Sequence, residues 1–410
     1  MPVTGVGAPV TGPRDDDTNE RTRKQTVSDL RQRIIGVVTG AAVGDALGGA
    51  TEGWTPEQIQ ERHGGRVTGI VPPWYPNWDT ARPIAPYHKG DGHITDDTLM
   101  TRALIDTYAS RGAHLDAYAV AEDFVPRLIG EPTWVPELER EAILLQRIFL
   151  AEKWLVARIH YGHVDPREAG VGNIVNCGAA MYMAPVGVAN AGDPEAAYAE
   201  AIDVAAPHQS SYGREAAGVF AAAVAASLAP GATTASVLDA ATHVAHDGTR
   251  AAVEAVVDAG RTHRADEPDA LEAALRAAVE PFDTVGPTYR QPAPDARRPS
   301  RTKAIEELPV ALGLVAAHDA NFTASVLGAV NYGRDSDSIA TMAGAVCGGL
   351  GGASVVPQEW LRTVETNSRI DVTAAGELMA DVAVKVLEAD RARLLERLGA
   401  LGSLLDGATA

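Results

Sequence analysis

The chain is poor in cysteine: of its 410 residues only Cys177 and Cys347 carry thiols, and neither stands in CxxC spacing. That argues against a disulfide framework and a spaced-thiol zinc site, and it suits a reducing, cytoplasmic setting. Aromatic side chains make up 5% of the chain, so its helices must pack through the small residues it has in abundance, alanine, glycine and valine. Basic residues are outnumbered, 35 Lys and Arg against 54 Asp and Glu, for a net charge of −19. Such a balance argues against binding a nucleic-acid backbone, which needs basic patches. It leaves room for a phosphorylated small molecule whose phosphates are handled by metals or local donors.

Membrane-length apolar runs are nearly missing too. Ile339–Val356 comprises eighteen uncharged residues, but it is rich in glycine and follows Asp337. It suits a buried helix that breaks near Gly348-Gly349 better than a bilayer span, so no membrane partner is expected. No signal-peptide apolar region opens the chain; residues 1–27 are polar, include Asp15-Asp16-Asp17, and read as a disordered tail. Alternating strand patterns are almost absent, and no convincing internal repeat or dividing linker interrupts the chain. Helical spacing recurs instead, at about 97–111, 115–129, 136–160, 167–184, 194–206, 213–228 and 234–246. It continues at about 250–263, 268–280, 304–318, 322–331, 338–350, 357–366 and 372–403, with a Pro/Arg-rich loop at 281–302. The expectation is one all-α domain over residues 28–405.

Two short acidic clusters lie about 240 residues apart, each opening a helical pattern. The first is Thr95-Asp96-Asp97-Thr98 and the second Asp335-Ser336-Asp337-Ser338. Alone, each reads as a helix cap, because Asp, Ser and Thr satisfy free N–H groups and carboxylates meet the positive helix end. Brought together, they make an all-oxygen pocket of high negative charge, whose natural occupants are hard divalent cations.

Other features need partners that the sequence does not name. Gly36, Gly40, Gly44 and Gly48 form a stripe on one helix face, open to a second helix or to a ligand. Asp45 lies inside that run and Glu52 just past it, after a Gly-rich turn. The irregular stretch 49–94 centres on Pro72-Pro73-Trp74-Tyr75-Pro76-Asn77-Trp78, where Trp74 and Trp78 either stack on a substrate ring or pin their own loop. Gly178 and Ala179 sit in a small-residue segment whose N–H groups either face a diphosphate or serve dense packing. His208 precedes a helix from about Gly213, and His243 and His246 read as a solvated pair.

The order of these motifs, Gly44-Asp45-Ala46-Leu47-Gly48, Thr95-Asp96-Asp97, Cys177-Gly178-Ala179-Ala180-Met181 and Asp335-Ser336-Asp337-Ser338, resembles the ADP-ribosylglycohydrolase family from about residue 32 to 355. The resemblance implies a compact, single-domain orthogonal helical bundle with two Mg²⁺ or Mn²⁺ ions. It implies hydrolysis at the ribose anomeric carbon of an ADP-ribosyl conjugate, protein-linked or small. A free NAD-derived metabolite as substrate, or a non-catalytic ADP-ribose binder, is the alternative. Carried over residue by residue, Thr95, Asp96, Asp97, Asp335, Asp337 and Ser338 become metal ligands. Glu52, Asp97 and Asp337 become catalytic, and Gly178, Ala179, His208, Trp74 and Trp78 substrate-binding. Asp45 is then expected to orient a ligand and Thr98 to back-bond to its own helix. The chain departs from the usual Asn-Gly-x-Ala-Met-Arg at Cys177 and Tyr182, and Pro207 replaces the usual Thr before the histidine.

Overall fold

In the computed structural model, which describes residues 15–73, 89–135, 138–282 and 304–406, the glycine stripe has found a helix. Helix Asp15–Gly48 lies antiparallel along the buried helix Ser336–Gly351. A Cβ placed at Gly36, Gly40, Gly44 or Gly48 would sit 2.1–2.4 Å from the carbonyl oxygens of Gly348, Gly344, Ala340 and Ser336 respectively. Only glycine permits backbones this close, so the stripe serves helix packing and not a ligand.

That contact also fixes the register that matters for function. Residue 48 against residue 336 places the end of the first helix, with Asp45 and Glu52, beside the start of the second, with Asp335 and Asp337. Three further bonds hold the junction. Ser336 Oγ donates to Gly48 O (2.9 Å), Thr51 Oγ1 donates to Val330 O (2.8 Å), and Arg334 N donates to Trp54 O (2.9 Å).

Helix Ser211–Ser227 runs through the centre, buried on every side from Ala216 to Ser227, against helices Pro194–Ala205, Thr234–Val244 and Ala304–Ala317. An all-round apolar helix of this kind belongs in a core. The described chain is all-α, with seventeen α-helices and one two-stranded hairpin. No described helix is long and apolar enough to cross a membrane; Ser336–Gly351 ends at Gly352, whose φ is 75°.

Several expected boundaries shift. Helix Asp15–Gly48 begins inside the stretch read as a tail, and residues 1–14 lie outside the described residues. Within 49–94 there is an unforeseen helix, Pro56–His63, with a Thr55/Gln58 capping box and Gly64 at its left-handed end. The helix expected over 136–160 gives way to an antiparallel hairpin, Pro132–Val135 with Arg140–Ile143, and true α-helix resumes only at Leu150–Val156. Over 167–184 the chain turns instead of coiling. A Cβ at Gly170 would meet Ala206 O and Gln209 O at 2.5 Å, and only a 3₁₀ segment, Cys177–Tyr182, forms before Ala184. The loop at 281–302 falls outside the described residues from 283 on.

Candidate metal centre

Asp45 is the anchor of the site. Its side chain is fully buried and accepts four hydrogen bonds from the first turn of helix Asp96–Arg111. Oδ2 takes Thr95 N (3.0 Å), Thr98 N (3.1 Å) and the Thr98 hydroxyl, while Oδ1 takes the Thr95 hydroxyl (2.6 Å). One carboxylate on the first helix thus fixes the start of another, 50 residues on. Thr98 therefore bonds Asp45 and not its own helix. Thr95 commits its proton to Asp45 while its oxygen accepts from Asp97 N (3.3 Å).

Around this anchor the acidic side chains converge in three overlapping groups, each with ligand atoms within 4.8 Å of one another. They are Asp45, Asp97 and Asp337; Glu52, Asp335 and Asp337; and Cys177, Glu307 and Asp335. Asp337 and Asp335 link the three into one continuous chamber. Asp97 is 2% exposed, and its Oδ1 has no hydrogen-bond donor. Glu52, at 9%, is the most exposed carboxylate of the set. Ser338 is buried, with Oγ 3.4 Å from Cys177 Sγ.

The charges are in conflict. Burial first, then the Asp337 charge, raise the Asp45 carboxyl from its ordinary 3.8 to about 6, against the pull of the Thr95 and Thr98 bonds. Burial, then Asp337, Asp45, Asp96 and Asp335, hold Asp97 well above the usual carboxylate range. Burial, then Asp337, Glu307 and Glu52, do the same to Asp335. Desolvated like charges favour protonation until a cation relieves them.

Asp96 does not join these groups. Its Oδ1 lies 3.2 Å from Nη1 of Arg147, which is itself buried. Arg147, Glu307 and Cys177 were not singled out as site residues in the sequence. No local signal could have done so, since each meets its partner across the fold. Arg334, the one base in the acidic clusters, is bound to Glu306 (Nε–Oε1, 2.7 Å).

Among the described residues expected to cradle substrate, His208, Gly178 and Ala179 are buried. His208 is fully buried, with Nδ1 3.0 Å from the Tyr182 hydroxyl and Nε2 3.3 Å from Glu152 Oε1. Tyr182 stacks between His208 and Phe124. Gly178 and Ala179 are buried too. The Gly178 N–H donates to Asn176 Oδ1 (3.1 Å), so it does not face a diphosphate, and a Cβ there would meet Glu152 Oε1 at 2.3 Å. Trp74 and Trp78 lie outside the described residues. His243 and His246 are exposed beside Glu195 and Glu215. Two surface hollows, one around Asp239, Arg250 and Arg261 and one around Arg102, Trp134 and Arg369, include none of the chamber's carboxylates.

Residues 26–393 match the family model described as ADP-ribosylglycohydrolase. No curated protein matches the chain significantly. Among solved structures, one titled "ADP-ribosylglycohydrolase-related protein complex" is similar in fold, with a TM-score of 0.58 at 20% identity. That similarity covers 87% of this chain and 99% of the other.

Proposed function

The chain belongs to the ADP-ribosylglycohydrolase family, and from that premise we propose that it is a divalent-metal-dependent hydrolase of ADP-ribosyl conjugates, cleaving at the ribose anomeric carbon. The observation that carries this reading is the buried acidic cluster in which Asp97, one of whose oxygens has no hydrogen donor, meets Asp337 and Asp45. A buried carboxylate oxygen with no donor costs several kcal/mol unless a cation serves it. The donor set is mostly hard oxygen, which fits Mg²⁺ or Mn²⁺.

On this reading Asp45, Asp97 and Asp337, which converge, would hold one ion, and Glu52, Asp335 and Asp337 a second. Divalent ions supply, when bound, polarisation of ribose oxygens and a water of lowered pKa. The chain's own residues do the rest. Asp45 clamps the Thr95–Thr98 turn so that Asp97 points inward. Arg147 pairs with Asp96 and offsets part of its charge at the edge of the cluster. Glu52, in the group with Asp335 and Asp337, would accept or return a proton at its carboxylate. His208 and Glu152 support the turn that carries Gly178 and Ala179.

The test is hydrolysis followed by NMR, offering ADP-ribosyl-arginine, an ADP-ribosyl-serine peptide, O-acetyl-ADP-ribose and NAD-type nucleotides with Mg²⁺, Mn²⁺ or EDTA. The expected result is metal-dependent release of ADP-ribose, reduced at least ~100-fold in Asp337→Asn. Turnover of free nucleotides alone redirects the substrate to a metabolite. Tight ADP-ribose binding without turnover refutes catalysis.

A further inference from the structure

Cys177 opens the 3₁₀ turn Cys177–Tyr182, and its buried thiol points into the acidic chamber. Sγ lies 2.9 Å from Asp335 Oδ2 and 3.4 Å from Ser338 Oγ, so its one proton has the nearer carboxylate as its acceptor. Its sulfur, a Glu307 oxygen and an Asp335 oxygen all fall within 4.8 Å of one another. One ion ~2.0–2.4 Å from each of three donors requires that degree of convergence. A tetrahedral ion would spread the Cys177–Asp335 pair to about 3.5 Å, a small opening. A separate observation marks the same chamber as cation-seeking: the donorless, buried Asp97 Oδ1, joined to Asp335 through Asp337.

We propose that Cys177, with Asp335 and Glu307, gives this centre a thiolate-bearing position, so that it takes a borderline-soft divalent ion such as Co²⁺ or Zn²⁺ there in preference to Mg²⁺. The inference rests on the metal-dependent reading above. Binding exchanges the Sγ–H proton for the ion, and the proton leaves to solvent. Thiolate sulfur favours softer cations, whereas Mg²⁺ keeps to oxygen, so the sulfur decides which ion settles beside Asp335. CxxC spacing, on which the sequence argued against a thiol site, is not needed when two of the donors arrive from residues 307 and 335.

The experiment is absorption spectroscopy of the full chain, stripped with EDTA, dialysed and titrated with Co²⁺. Visible d–d bands report ion binding; a near-ultraviolet thiolate-to-cobalt charge-transfer band reports sulfur ligation. Both bands are expected in the native chain. Cys177→Ser, which keeps a small hydrogen-bonding side chain, should lose the charge-transfer band and retain d–d bands. Cys347→Ser should keep both, because Cys347 is buried elsewhere, inside helix Ser336–Gly351. Zn²⁺ should bleach the charge-transfer band at lower concentration than Mg²⁺. Visible bands without a charge-transfer band in the native chain overturn the role of Cys177 and leave the metal centre standing. A charge-transfer band that survives Cys177→Ser also overturns it. Absence of any Co²⁺ band overturns the sulfur assignment together with the metal-dependent reading itself. Since the native chain decides the first of these outcomes, a variant that fails to fold leaves the proposal testable.

Discussion

Gly44→Ala pits two effects of opposite sign against each other. Alanine is the better helix former by about 1 kcal/mol, so propensity alone predicts stabilisation. Against it stands the contact with Ala340 O, which the new Cβ would approach to 2.1 Å. An ordinary carbon–oxygen contact is ~3.4 Å, so the helices must part by about 1 Å or bend. Overpacking of that order costs ~1–3 kcal/mol, sometimes more. The facing atom is backbone, with no flexible side chain to move aside, so the upper part of that range applies. The expected net effect is destabilisation by about 2 kcal/mol, or about 2–3 °C in Tm for a chain of this length. Parting the helices also moves Asp337 relative to Asp45, so divalent-ion affinity should fall in calorimetry. Gly399→Ala is the control: that glycine is exposed in helix Val372–Asp406 with nothing within 4 Å of the added methyl, and only propensity acts. It should leave Tm equal or slightly higher. A Gly44→Ala protein with unchanged or raised Tm would falsify the reading of the stripe as a backbone contact.

The raised Asp45 carboxyl gives a pH dependence with a definite sign. Between 3.8 and about 6 the folded chain holds a proton that the unfolded chain has shed. Its stabilisation is complete below the lower value and lost as pH rises past the upper, a change of about 3 kcal/mol or 3–4 °C. Asp97 and Asp335 shift in the same direction. The Tm gained from added Mg²⁺ over EDTA should therefore grow as pH rises from about 5 to 8; a gain that stays flat across that range contradicts the chamber's electrostatics. Arg147→Met leaves Asp96 buried without its 3.2 Å cation and should cost about 3–5 kcal/mol by denaturant melts. Adding Asp96→Asn should recover much of that loss, and strict additivity of the two changes would show that the pair is not coupled.

The sequence disclosed each half of the centre but not their meeting. Asp96-Asp97 and Asp335–Asp337 were legible because each opens a helical pattern, and the family's motif order joined them. The stripe at Gly36–Gly48 was legible as a close approach, yet its partner could only be read from the register against Gly348, Gly344 and Ala340. Cys177 meets Asp335 across 158 residues, and nothing near either records that contact. The hairpin at Pro132–Ile143 was misread because Leu138, Ile143, Leu144, Leu145 and Ile148 imitate a helical period. The structure instead pairs Arg140–Ile143 with Pro132–Val135, setting Ile143 opposite Pro132. Helix Pro56–His63 is the converse. Thr55-Pro56-Glu57-Gln58 and Gly64 signal it in the sequence, but it buries only Ile59, so hydrophobic spacing gave no hint.

The choice between cap and ligand, open for either cluster alone, has a physical discriminator in the fold. A carboxylate that also serves structure is saturated by donors, as Asp45 is by the four hydrogen bonds it accepts from Thr95 and Thr98. Asp97 is nearly as deeply buried as Asp45, yet one of its oxygens receives no donor while Asp337, Asp45, Asp96 and Asp335 all repel its charge. A cap so placed would weaken the helix that it begins. The arrangement becomes favourable when a cation serves that oxygen, and Asp45 then holds Asp97 in position for it. This contrast between Asp45 and Asp97, two carboxylates at the same helix turn, is the strongest support for a metal centre here.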